Sequence, residues 1–242
     1  TRIALALFGQ LSWRTVPSMP IEIMYLPMWF PFNLNKIAYW SRTTLVPLLI
    51  LMSLKPQAKN PRNVDIQELF SKKIPAKYEL SSSEGWISNL LLMFDQVLKT
   101  YEKLMPERLR RKAVDKALEW CLKRLNDDDG LGGIFPPMAN LLMALDCLGF
   151  SQDHSVRQTV RSSLNKLLTP PKNGQQYCQP CVSPVWDTGL AALALSESDS
   201  EKYSSCINAA AEWLANKQIT EIKGDWAVSR PLTPPGGWAF QY

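Results

Sequence analysis

Apolar residues along this chain recur at helical spacing. Val114, Ala117, Leu118, Cys121, Leu122 and Leu125 fall at i, i+3, i+4, i+7, i+8 and i+11, one stripe of an amphipathic helix. Leu141, Leu142, Leu145 and Leu148 make a second stripe that ends at Gly149. Ile207, Ala210, Ala211 and Leu214 make a third, and Leu190, Leu193 and Ala194 a fourth. The helix predicted over 184–195 has start signals of its own. Ser183 is placed to cap it, Pro184 takes the first helical position, and Asp187 falls in the electropositive first turn. Alternation with period two is almost absent, so the expected fold class is all-α.

Polar stretches interrupt the pattern. Lys55 to Ser83 is broken by prolines and reads as a long surface excursion with one short helix, and Thr169 to Gln179 is a second polar connection. A boundary is expected near Ser151, dividing the chain into 1–150 and 151–242. There is also a weak internal repeat. In both Ala117–Gly133 and Ala210–Trp226 an Ala lies three residues before a Trp (Trp120, Trp213), and Leu125 or Gln218 follows five residues later, ahead of a glycine-containing turn. Such a unit pins a helix end to the next turn, with Gln218 meeting exposed backbone groups and Trp226 covering the join. None of these units buries its apolar face alone, so they are expected to stack side by side.

Composition narrows the function classes. With 46% hydrophobic and 20% charged residues the chain is globular and core-forming, and disorder is excluded. A net charge of +5, scattered along 242 residues, does not point to nucleic acid. Five cysteines in a chain of this length are expected to be reduced thiols. The longest apolar run, Leu45–Leu54, is too short to span a bilayer and contains Pro47, although the chain can still lie on a membrane.

Most candidate chemistry yields to a plainer reading. Cys178-Gln-Pro-Cys181 has metal-ligand spacing, but a single histidine, His154, and no second such pair leave a tetrahedral site short of ligands, so two buried structural thiols are expected. Asp127-Asp128-Asp129 before Gly130, Gly132 and Gly133 lacks both the Lys-Ser/Thr of a phosphate loop and the calcium-loop register, and reads as a sharp interhelical turn. His154 is expected to be a solvent-exposed loop residue. Arg108, Arg110, Arg111 and Lys112 form a basic run whose default is a solvated face and whose sharper reading is contact with anionic lipid. The aromatics resist dismissal. Trp13, Trp29, Phe30, Phe32, Tyr39 and Trp40 crowd the first forty residues, and Trp186, Trp226, Trp238, Phe240 and Tyr242 crowd the last part. They pack a core or wall a cavity whose π faces attract cations by about 0.5–2 kcal/mol each.

Four stretches carry a resemblance. Pro20–Leu48, Asp129–Leu145, Gln179–Leu195 and Lys217–Tyr242 closely resemble bacterial squalene–hopene cyclases, in order and along essentially the whole chain, and the repeat is similar to that family's QW motif. The resemblance implies two α/α barrels of the terpenoid cyclase type, with 1–150 in the inserted barrel and 151–242 opening the catalytic one. It implies proton-initiated polycyclisation of squalene, without cofactor or metal, by an isomerase that is monotopic on the cytoplasmic membrane and usually dimeric. Gly85–Leu98 is similar to the helix that dips into lipid, and its apolar residues cover more than one narrow stripe.

By motif position, Trp186 and Phe240 resemble cation-stabilising cavity aromatics, and Trp40 resembles one at the other end of the cavity. Ile134 and Pro136 match positions that shape the pocket near the final cation, and Phe135 stands where some relatives carry Gln. Two departures follow. Leu125 and Leu131 replace the Gln and Trp of a full QW motif, so pinning there is expected to be weaker. The family's acidic run Asp-Xaa-Asp-Asp-Thr-Ala does not occur in these residues. The reading is therefore of a central piece whose acid lies beyond Tyr242, inactive and poorly soluble alone. The rival readings are an oxidosqualene-type or other class II cyclase, a degenerate helical-repeat interaction protein, and a zinc prenyltransferase, which the ligand set disfavours.

Overall fold

The computed structural model describes residues 2–70, 85–127 and 129–240. Residues 71–84, all but the last within the expected surface excursion, lie outside the described residues, as do Thr1, Asp128, Gln241 and Tyr242. The helices are α1 (Arg2–Leu7), α2 (Tyr39–Leu54), α3 (Trp86–Leu104), α4 (Glu107–Leu122), α5 (Phe135–Cys147), α6 (Ser155–Lys166), α7 (Pro184–Asp199), α8 (Ser204–Asn216) and α9 (Asp225–Ser229). Short 3-10 turns, Ile21–Tyr25, Leu34–Lys36 and Gln67–Leu69 among them, fill the connections. Among the described residues β pairing is confined to isolated bridges, as expected for an all-α chain.

The core forms where α2, α4, α5 and α6 meet. The longest apolar run becomes α2, which passes through Pro47 and buries Val46, Leu49, Ile50 and Leu51. Against it α4 sets Ala113, Val114, Ala117 and Cys121, while α5 sets Met138, Leu141, Ala144 and Leu145. The alanines let the helices approach closely. Each fully buried Leu contributes about 1.5–3 kcal/mol relative to exposure, so these three helices carry most of the chain's apolar stabilisation. The 114–125 stripe is borne out up to Leu122; Leu125 lies past the helix end but still packs against the core, and Leu131 is fully buried there.

Helices α7 and α8 pack on each other, yet Val185 is the residue that α7 buries and α8 buries none. The stripe at Leu190 and Leu193 is helical as expected but faces solvent, at 64% and 59% exposure. The start of α7 also differs from the capping expectation. The Ser183 hydroxyl donates to Asp187 Oδ1 (2.7 Å) and accepts no helix N–H. Its counterpart on α6 is His154, whose Nδ1 accepts from Val156 N (3.3 Å) while the ring stands edge-on to Phe150. That histidine is exposed, as expected, and caps a helix besides.

The polar connection 169–179 is a small hairpin. Thr169 N donates to Tyr177 O (2.9 Å), Lys172 and Gln175 exchange both backbone bonds, and Asn173 and Gly174 turn the chain at φ of 53° and 75°. Asn-Gly at two left-handed positions is the preferred two-residue hairpin loop.

Candidate functional site

The site is built on the turn after α4. Asp129 N donates to Asn126 Oδ1 (2.9 Å), and Lys166 and Thr159 donate to Asp127, so the acidic edge serves the turn itself. Gly132 and Gly133 follow at φ of 78° and 64°. A Cβ on Gly132 would stand 2.7 Å from Thr43 Oγ1, and one on Gly133 would stand 3.2 Å from Val182 O and 3.8 Å from Phe240 Cε1. Glycine at both positions therefore lets the turn lie directly on α2 and on the strand-like segment before α7. That segment is tied in by two backbone bonds, Phe135 N to Pro180 O and Val182 N to Gly133 O, each 3.0 Å.

These ties bring the proposed residues together. Ile134 pairs with Cys181 in an antiparallel bridge and caps α5, whose first residues are Phe135 and Pro136. Trp186, in the first turn of α7, meets Phe240 edge-to-face with ring centroids 5.8 Å apart and planes at 83°. Phe135 and Trp186 are 45% and 60% exposed, so their rings present open π surface. Trp40 sits apart from this pair, in the first turn of α2. Its carbonyl accepts from the hydroxyls of Thr43 (2.8 Å) and Thr44 (3.1 Å), and Thr43 in turn abuts Gly132.

A charged cluster that sequence reasoning missed joins α2, the end of α4 and α9. Asp225 accepts from Arg124 Nη2 (2.6 Å) and Nε (3.0 Å) and pairs with Arg42 Nη1 (3.2 Å). Arg124 also lies 4.0 Å over the Trp120 ring, and Arg42 reaches Asn35 Oδ1 at 2.9 Å. Burial, then the nearby Asp225 carboxylate, pushes the Tyr39 phenol up to about 12, so it stays neutral. Burial lowers the Arg42 pKa, and Asp225 opposes that shift. The only sequence signal was two arginines at the ends of apolar helices, which single-chain periodicity does not pair with a carboxylate far along the chain.

The repeat closes differently from expectation. Gln218 Nε2 donates to Gly236 O (2.7 Å), as a pinning residue should, but the indole that bonds the end of α8 is that of Trp238, donating to Leu214 O at 2.7 Å. Trp226 lies against Gly224 instead, and its Nε1 is buried without a partner. The cysteine expectation is also corrected. Cys178, on the hairpin, is exposed, Cys181, bridged to Ile134, is half-buried, and the buried thiol is Cys121, pushed up to about 12 by burial. Among the described residues no cluster of His, Cys, Asp and Glu could hold a metal ion.

A second feature is the face of α3. Its polar side is anchored: Asp95 accepts from Ser18 N (2.7 Å) and pairs with Lys99 (2.7 Å), and Glu102 pairs with Lys55 (3.0 Å). Trp86, Ile87, Leu90, Leu91, Met93 and Phe94 are exposed on the same helix. Phe94 meets Phe32 (6.5 Å), which continues through Phe30 to Trp29, so the patch spreads onto the 27–33 loop. No described helix is long and apolar enough to cross a membrane. In the basic run, Arg110 pairs with Glu22 (3.7 Å) and Arg111 with Glu107 (3.3 Å), which gives two of the four residues structural partners. A cavity of about 1120 Å³ lies elsewhere, between the 9–18 loop, the end of α2 and α3; Trp13 lines it, but none of Trp40, Ile134, Phe135, Pro136, Trp186 and Phe240 does.

Comparison with known proteins gives a consistent result. The squalene-hopene cyclase N-terminal domain family matches residues 1–172, and the squalene-hopene cyclase C-terminal domain family matches 182–242. Over its full length the chain is 48% identical to a squalene–hopene cyclase of Bradyrhizobium diazoefficiens and 43% identical to one of Zymomonas mobilis, in each case along 37% of the relative's length. A squalene-hopene cyclase of the yeast Schizosaccharomyces japonicus is 41% identical over the whole chain, so the similarity is not confined to bacterial proteins. The chain thus spans a little over a third of the curated relatives it matches.

Proposed function

The chain belongs to the squalene–hopene cyclase family, and on that premise we propose that it supplies part of the cavity wall and the lipid-facing surface of an enzyme that cyclises squalene to hopene or hopanol. In such a reaction a strong acid protonates a terminal double bond, and positive charge then migrates along a prefolded hydrocarbon. The protein must stabilise that charge without offering a nucleophile. Aromatic faces meet the need, since their quadrupole attracts a cation but forms no bond to it. The observation that carries the proposal is the Trp186–Phe240 pair seated on the Gly133–Phe135 turn, with much of the tryptophan ring exposed.

Trp186 and Phe240 stabilise intermediate cations, and Trp40 does so at the other end of the cavity. Ile134, Phe135 and Pro136, brought beside Cys181 by the same backbone ties, shape the pocket around the last cation. The acid belongs to a motif that these 242 residues do not contain. The anchored polar side and exposed apolar side of α3 support a monotopic seat on a membrane, through which squalene enters. The division between the two barrels falls in the connection between α5 and α6, near Ser151, and the whole enzyme acts as a homodimer.

Removal of one π face tests the reading. In the enzyme carrying this chain, Trp186→Ala and Phe240→Ala are each expected to slow squalene turnover about 2- to 30-fold, matching about 0.5–2 kcal/mol of lost cation stabilisation. Partly cyclised products should rise in gas chromatography of the extract. Wild-type rate and product ratio in both variants would refute it.

A further inference from the structure

Asp225 joins three parts of the chain through one carboxylate. Arg124 ends the α4 region, Arg42 lies in the first turns of α2, and Asp225 itself opens α9. The fork to Arg124 uses both carboxylate oxygens, the geometry in which a guanidinium fixes orientation as well as distance. The Arg42 side chain is 5% exposed and those of Asp225 and Arg124 are 21% exposed, so solvent competes poorly for the contacts. Arg42 is further held by Asn35, on the 3-10 turn against which α9 packs.

What these parts carry gives the cluster a meaning beyond stability. Two residues before Arg42 stands Trp40. Fifteen residues after Asp225 stands Phe240, and the segment between is tied down at Gly236, Gly237 and Trp238 to the end of α8. Asp225 therefore docks the strand of chain that delivers Phe240 onto the helix that presents Trp40. We infer that Asp225, through Arg42 and Arg124, is a positioning residue that sets the separation between the Trp186–Phe240 pair and Trp40. This rests on the cavity reading above. Under it, that separation is the path a migrating cation must cover between aromatic faces. Loss of the carboxylate leaves two guanidinium groups with no anion between them, and their repulsion opens the joint.

The consequence is specific to product. A cation that loses its next aromatic face gives up a proton to solvent and leaves as an alkene with fewer rings, so the joint controls the extent of cyclisation more than its start. The test compares Asp225→Asn, Asp225→Glu and Trp186→Ala in the enzyme carrying this chain, with squalene as substrate. Asp225→Asn is expected to raise the ratio of mono- and bicyclic to pentacyclic products at least threefold, and Asp225→Glu to restore most of the wild-type ratio. A fall in melting temperature or total turnover with an unchanged ratio overturns the inference. A wild-type rate and ratio in Trp186→Ala instead sink the cavity reading.

Fluorine NMR of protein carrying 5-fluorotryptophan reads the joint without turnover. The Trp40 and Trp238 resonances, assigned by single Trp→Phe changes, should move in Asp225→Asn and return in Asp225→Glu; fixed resonances overturn the clamp whatever the enzyme makes. If Asp225→Asn does not fold, Arg42→Lys carries both measurements, since it keeps the charge and loses the planar guanidinium whose Nη1 bridges Asn35 and Asp225.

Discussion

Gly132→Ala should be among the most damaging single-methyl additions in the chain, and its cost can be worked from two terms. Gly132 has φ of 78°, where an L residue costs about 1–2 kcal/mol. The added Cβ would lie 2.7 Å from Thr43 Oγ1 and 3.2 Å from Thr43 Cβ. Thr43 is fully buried and its hydroxyl is committed to the Trp40 carbonyl, so it has little room to yield. Overpacking of this kind costs about 1–3 kcal/mol. Restriction of the unfolded chain returns about 0.4–1 kcal/mol, leaving a net loss of about 1–5 kcal/mol.

Gly149→Ala isolates the contact term. Gly149 has φ of 81° but nothing within 4 Å of its Cβ position, so that variant bears the conformational cost alone. Urea unfolding followed by circular dichroism should place Gly132→Ala about 1–3 kcal/mol below Gly149→Ala. Adding Thr43→Ala to each should close most of that gap, because the clash partner is gone. Equal stabilities for the two glycine variants, or a gap that survives removal of the Thr43 side chain, would refute the steric argument.

Alkaline pH should destabilise the fold through Tyr39 and Cys121. Both have folded pKa values raised to about 12, above their ordinary 10 and 9, so the folded state holds protons that the unfolded state has released. Their stabilisation is complete below pH 9 and falls as pH rises toward 12, and Tyr39→Phe should flatten the part between 10 and 12 in pH-dependent melts. A fall of unchanged slope in that variant would exclude Tyr39 as a source. For α3, Leu90→Asp with Phe94→Asp should reduce co-sedimentation of the enzyme with lipid vesicles at least tenfold. Both side chains are about half exposed, so the melting temperature should barely change, and undiminished binding would remove α3 from the membrane contact.

What the sequence made legible was whatever depends on neighbours along the helix. The stripes of α4 and α5 are buried as their spacing implies, because three packed helices leave them one way to face. The stripe of α7 has the same spacing and is exposed, since periodicity says which residues share a face and not what covers it. The aromatic crowd of the first forty residues divides in a way composition cannot foresee. Trp13 donates to Pro56 O (3.0 Å), Trp29 and Phe32 spread beside α3, and Trp40 opens α2. The first of these depends on a contact 43 residues away, and Phe32 reaches Phe94 from farther off still. The 169–179 hairpin has a strong local signal in Asn173-Gly174, but the polar residues around it carry no strand alternation, so the stretch reads as a plain connection.

The candidate wall spans elements of very different stability. The turn at Gly132 rests on α2 and α5, where nearly every inward side chain is buried, whereas Trp186 stands on a helix pair whose apolar area goes largely unburied. Hydrophobic burial therefore cannot hold Trp186 against the turn with the accuracy a cavity needs. The two backbone bonds at 180–182, the Gln218 and Trp238 ties, and the Asp225 fork do that instead. Such contacts are directional and fix orientation within tenths of an ångström, while each contributes only about 0.5–3 kcal/mol to stability. Where shape matters more than rigidity of the whole, this division is effective: apolar packing fixes one side of the wall, and a few polar bonds set the angle of the other.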